Sequence, residues 1–201
     1  TGGDLKDYAT SGATALAYLR GLIDDGSMSE AVTNYTQEDA RTQFITGKSA
    51  MMINGPWELA TLTKDAQFDW DVAPLPKDKR AATSMGGENV VVMNGAKQSD
   101  AAVKLAKYLT SAEGAKIYCD GSGQLSSRPD LKGKLKLSED AKNKVFESQL
   151  ADAHARAYGK DYPKISEAIQ LSMQEALTGA STPEAAAKKA ADTITPLLPK
   201  N

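Results

Sequence analysis

A single cysteine, Cys119, and a single histidine, His154, stand in a chain of 201 residues. One cysteine excludes an intramolecular disulfide. The two residues lie in unrelated segments, so neither a Cys/His metal site nor a Cys–His nucleophile pair has support. There is no G-x-S-x-G turn and no phosphate-binding glycine loop. Asp and Glu are plentiful, but no spacing singles out the carboxylate pair that glycoside hydrolysis needs. Charge of one sign is lacking as well: 24 Lys and Arg stand against 26 Asp and Glu, with no run of either. Nucleic acid binding therefore has no electrostatic footprint. No stretch reaches the apolar length of a membrane-crossing helix, and the chain does not open on a cationic, then apolar, signal segment. These absences point to a non-enzyme with no cofactor.

What is present centres on Phe44 to Glu58, FITGKSAMMINGPWE. Ala40 and Phe44 repeat at helical spacing, over a helix expected from about Gln37 to Thr46, and Gly47 supplies a left-handed stop. Ser49 to Ile53 reads as a short apolar strand. Asn54-Gly55-Pro56 breaks it, and Trp57 and Glu58 follow at once, with Pro56 near the first turn of a new helix. An aromatic plate thus sits at the carboxyl end of a strand, where open α/β sheets bind ligands.

The remaining chain alternates helices with short extended runs. Residues 1–10 read as a leading loop. Leu16, Leu19, Leu22 and Ile23 form a core-facing helix closed by Gly26. Phe68 to Ala73 alternates like a strand and ends at Pro74 and Pro76; residues 77–83 suit a surface connection or a hinge strand. Ser84-Met85-Gly86-Gly87-Glu88-Asn89 leads into an apolar strand, Val90 to Met93. Ala102, Leu105, Ala106 and Leu109 share a helix face capped by Ser99 or Asp100, and Ser111 opens a further helix that stops at Gly121. Ser138 is expected to cap a helix carrying Ala141, Val145 and Phe146, fading toward His154 in a polar, solvated end. After Tyr162-Pro163 comes a strongly amphipathic helix with Ile165, Ala168, Ile169, Ser172, Met173 and Ala176 inward and Gly179 at its end. Thr182-Pro183 caps an alanine-rich last helix, closed by Pro196. Strands separated by helices argue for an α/β arrangement with more helix than sheet.

The phrase Phe44-x-x-Gly47-Lys48-x-Ala50-Met51-x-x-x-Gly55-x-Trp57 resembles the signature of the maltose-binding-protein-like family, the extracellular solute-binding proteins of carbohydrate ABC importers. VAPLPKD (72–78), SMGGENVVV (84–92), KLAKYLTSAEGAK (104–116) and GQLSSRPD (123–130) follow in the family's order, so the likeness covers most of the chain. It implies a periplasmic-binding-protein-like lobe, helix-rich with a short mixed sheet. It implies a sugar or oligosaccharide as ligand, delivered to ABC permease subunits by hinge closure of two lobes. It places the protein outside the cytoplasmic membrane, in the periplasm or lipid-anchored, with the signal segment absent from this chain. Family members are about twice this long on the domain-size scale. Residues 1–201 are accordingly expected to be a carboxyl-terminal portion that lacks the amino-terminal lobe, with 84–120 belonging to that lobe in the full receptor.

A sugar offers a flat face of C–H bonds ringed by hydroxyls, so an indole covers the face while polar groups bind the rim. Trp57 fits that use, against the plainer reading of a half-buried core tryptophan, and the family phrase favours ligand contact. In the Gly86-Gly87-Glu88-Asn89 turn the glycines admit close backbone approach and the next two side chains offer hydrogen bonds. Glu58 is a hydroxyl partner or a companion of a helix's positive end, and Arg128 an anchor or a salt-bridge member. Tyr158 and Tyr162 stand where the family supplies a second aromatic, and Trp70 reads as core. The maltose-binding member has a tryptophan early in the following helix where Ser166 stands here, a departure pointing away from maltodextrin toward another glycan. Two alternatives stay open: a non-sugar solute such as a polyamine, and a carbohydrate-processing enzyme domain.

Overall fold

The computed structural model describes residues 5–156 and 159–198 and divides the chain into two compact units. One comprises residues 1–36, 77–84 and 154–201; the other comprises 37–76 and 85–153.

The first unit is built on three helices, α1 (Tyr8–Asp24), α7 (Tyr162–Leu177) and α8 (Pro183–Ile194). The apolar period of α7 buries Ile165, Ala168 and Ala176, and α8 answers with Ala186, Ala187, Ala190, Ala191 and Ile194. Small side chains on α8 let its neighbours approach closely, while fully buried isoleucines such as Ile165 and Ile194 contribute about 1.5–3 kcal/mol each. The expected leading loop is instead helical from Tyr8, preceded by a 3₁₀ turn, Leu5–Asp7. Tertiary contact explains the early start: Tyr8 is buried and its hydroxyl lies 2.9 Å from Ser172 Oγ on α7. Thr182 Oγ accepts from the Ala185 N–H at 3.2 Å with Pro183 in the first turn, the cap expected for α8.

The second unit holds α2 (Gln37–Ile45), α3 (Leu59–Asp65), α4 (Ser99–Leu109), α5 (Ala112–Ser122) and α6 (Ala141–Gln149). Cys119, Leu131 and Leu135 form a small core between α5 and the turns that follow it. Phe44 and Phe68 meet edge to face at 5.3 Å. Ser111 caps α5 as expected, but the helix runs past Gly121 to Ser122 and stops where Gly123 turns left-handed, φ 74°. For α6 the cap is Asp140, whose carboxylate accepts from the N–H groups of Lys142 and Asn143, rather than Ser138. On α4 the expected inward stripe is only partly covered, with Leu105 exposed, and Gln98 stands at its N-terminus.

Strand content departs most from expectation. The described residues contain two short strands, β1 (Thr83–Met85) and β2 (Ala153–Ala155), paired with each other. His154 therefore lies exposed in a strand, not at a helix end. Residues 49–53, 68–73 and 90–93 belong to no ladder. Their apolar character is strand-like, but a strand is a property of a pair, and no described segment forms a ladder beside them. Met51 and Val91 are consequently 86% and 70% exposed.

Candidate functional site

The geometry around Trp57 is built by a segment that doubles back along α2. The helix ends where Gly47 takes φ 71° and the N–H groups of Lys48 and Ser49 both reach the carbonyl of Gln43. An extended run then returns to the start of the helix, where Asn54 Nδ2 donates to the Gln37 carbonyl at 3.2 Å. The same side chain's Oδ1 accepts from the Gly55 N–H at 2.9 Å. Asn54 thereby fixes the point at which the chain turns into Pro56–Glu58, a 3₁₀ turn that runs on into α3.

Trp57 projects from this turn 37% exposed. Its backbone is hemmed in by the end of α5: a Cβ at Gly123 would stand 3.0 Å from Trp57 Cα and 3.2 Å from the Pro56 carbonyl oxygen. Gly123 is thus favoured twice, by its left-handed φ and by this close approach. Glu58, next in sequence, is turned inward. Only 4% exposed, its carboxylate accepts from Arg41 Nη1 of α2 at 2.8 Å. That hydrogen bond raises the Arg41 guanidinium above its ordinary value, with burial opposing.

Beyond Gly123 the loop continues through Ser126, whose hydroxyl accepts from the Arg128 N–H at 3.1 Å. Arg128 is held bidentately by Asp130, with both contacts at 3.0 Å, and donates to the Thr110 carbonyl at 2.9 Å. The pairing holds the Asp130 carboxyl below its usual range. Burial pushes the Cys119 thiol up, aided by the Asp120 charge and opposed by a hydrogen bond from Ser126.

The structure therefore joins Trp57 and Glu58 to Arg41, Asn54 and the Gly123 loop. Gly86, Gly87, Glu88 and Asn89 lie in the same unit, in an exposed segment after β1, and Glu88 has no ion pair among the described residues. Tyr162 is the half-buried first residue of α7, in the other unit; Tyr158 falls outside the described residues. Ser166 Oγ accepts from Gln170 Nε2 at 2.9 Å along α7. Trp70 carries Lys142 Nζ 4.9 Å from its ring centroid. Arg41 was not legible as part of this site; Asn54, a turn former before Gly-Pro, and Gly123 both fall in the phrases that carry the resemblance, but their contacts with Gln37 and Trp57 were not legible. Among the described residues no group of His, Cys, Asp and Glu is arranged to hold a metal ion, and no helix is long and apolar enough to cross a membrane.

Residues 1–145 match the family described as bacterial extracellular solute-binding protein. The chain belongs to the bacterial extracellular solute-binding proteins. This solute-binding protein is 27% identical over 199 residues to a putative binding protein of Brucella abortus (strain 2308), covering 96% of this chain and 48% of the relative. Its fold is periplasmic-binding-protein-like. It superposes with TM-score 0.82 and 30% identity on an ABC transporter solute-binding protein from Thermotoga lettingae bound with α-D-tagatose, over 96% of this chain and 50% of that one. Maltose-bound MalE3 of T. maritima gives TM-score 0.78 at 31% identity, over 92% and 50%. The solute-binding protein described here thus spans about half the length of the relatives it matches. The family is a solute-binding, non-catalytic class.

Proposed function

We propose that this solute-binding protein forms part of a receptor that binds a mono- or oligosaccharide and delivers it to the permease subunits of an ABC importer. The observation that carries the reading is Trp57, an indole on a braced turn with part of its surface open to solvent. Such a ring matches the C–H face of a sugar. Structures of similar fold bound with α-D-tagatose and with maltose support a sugar as the solute class. Glu88 and Asn89, exposed beside Gly86 and Gly87, offer hydroxyl partners. Tyr162 stands as a second aromatic on the family resemblance alone. Glu58 and Arg128, each paired within its unit, hold the surroundings of the indole in place.

In the whole receptor, two lobes close about a hinge because the ligand binds the closed state more tightly. The solute leaves chemically unchanged, so the protein is not an enzyme, and it works outside the cytoplasmic membrane, in the periplasm or lipid-anchored. A thermal-shift screen of this chain and Trp57→Ala against maltose, α-D-tagatose and spermidine tests the reading. Stabilisation by a sugar that disappears in Trp57→Ala supports it. Stabilisation by spermidine alone moves the solute class away from sugars, and a product released from a glycan identifies an enzyme instead.

A further inference from the structure

The residue before Pro56 is a glycine for a reason its backbone does not supply. Gly55 has φ −120° and ψ 174°, extended backbone that any residue adopts. The demand comes from space. A Cβ at Gly55 would stand 2.1 Å from Trp57 Cη2, 2.2 Å from Cζ3 and 2.4 Å from Cζ2. These are three consecutive atoms of the benzene half of the indole, at nearly equal distance. An edge-on approach would leave the two flanking atoms well beyond the nearest one, so the side-chain direction at residue 55 meets the ring on its face. The indole lies flat on the glycine.

We propose that Gly55 is the positioning residue for Trp57: the missing side chain lets the indole rest on the backbone, which sets the ring plane and leaves the opposite face for a pyranose. The proposal rests on the sugar-binding reading of Trp57. Three further contacts oppose ring movement. Asn54 ties the turn to Gln37, Gly123 crowds Trp57 Cα, and the enclosed Glu58 carboxylate anchors the next residue to Arg41. With the turn held on these sides, an added methyl at residue 55 cannot be accommodated by sliding the backbone, and the ring must rotate off its plane.

A double-mutant cycle on this chain tests the coupling. Gly55→Ala is expected to lower the unfolding midpoint and to move the Trp57 indole N–H resonance, yet to have little effect in a Trp57→Ala background. Equal effects in both backgrounds, or an unmoved resonance, overturn the proposal. Should Gly55→Ala fail to fold, the wild-type chain still decides. A ring lying over Gly55 shifts its α-proton resonances upfield, and Trp57→Ala returns them to ordinary glycine values; ordinary values in the wild type overturn the proposal. Calorimetric titration with maltose is expected to show affinity about tenfold lower in Gly55→Ala while cooperative unfolding is retained. If neither maltose nor α-D-tagatose binds the wild type while the cycle shows coupling, the sugar reading fails and the positioning role of Gly55 stands.

Discussion

Lys116 donates to the Asp120 carboxylate at 2.9 Å, one turn along α5, and the same carboxylate accepts from the backbone N–H of Lys136 at 2.8 Å. Lys116 also reaches the Lys134 carbonyl at 3.0 Å. These bonds fasten the turns after Leu131 to the helix that abuts Trp57. Burial alone would push the Asp120 carboxyl up, but the Lys116 bond, the N–H groups of Leu137 and Lys136 and the Lys116 charge outweigh it, so the folded value is depressed. A depressed carboxylate contributes stability that is present above its unfolded value of about 3.9 and is lost as pH falls through the folded value. Asp120→Ala should therefore lower stability by about 1–3 kcal/mol at neutral pH. The difference from wild type should shrink below pH ~4. Denaturant unfolding at several pH values checks both.

Ile165 is fully enclosed between α7 and its neighbours. Replacing it with alanine leaves a cavity in a core whose other buried members are mostly alanines beside Tyr8, Leu16 and Ile194, so little side chain is at hand to collapse into it. Ile165→Ala should cost about 2–5 kcal/mol in chemical unfolding.

Asn143 presents the opposite case. It is fully buried on α6, and neither its Nδ2 nor its Oδ1 has a hydrogen-bond partner among the described residues. Two orphaned polar atoms oppose folding, and leucine has a similar reach without them. Asn143→Leu should raise stability by about 1 kcal/mol, seen as a higher unfolding midpoint. A clear fall would mean that the amide has a partner of its own.

Val90, Val91 and Val92 lie extended and exposed, with no backbone hydrogen bond among the described residues. An uncharged, unpaired edge of this kind invites pairing with another chain. Sedimentation of this chain should show concentration-dependent association, and Val91→Lys should reduce it without altering the helical circular dichroism.

The helices were legible because their causes are local. The period of α7, the Thr182-Pro183 start of α8 and the Ser111 cap all reside in neighbouring residues. Features fixed by distant partners were not. Tyr8 begins α1 early because Ser172 meets it across the unit, and residues 49–53 and 90–93 read as strands although a ladder depends on a neighbour no local pattern can supply. Two glycines compete to end α5, and only Gly123, pressed against Trp57, takes the left-handed turn. At the site the signature phrase located Trp57 and its turn. The Arg41–Glu58 pair spans two segments whose approach is set by the fold, and Glu58 faces inward for that reason.

The most direct test of the account is a tryptophan fluorescence titration of the chain with a panel of mono- and oligosaccharides. The chain has two tryptophans, and Trp70 already carries Lys142 over its ring. A saturable emission change is expected with at least one sugar, persisting in Trp70→Phe and vanishing in Trp57→Phe. A change carried by Trp70, or no change with any sugar while another solute binds, would contradict it.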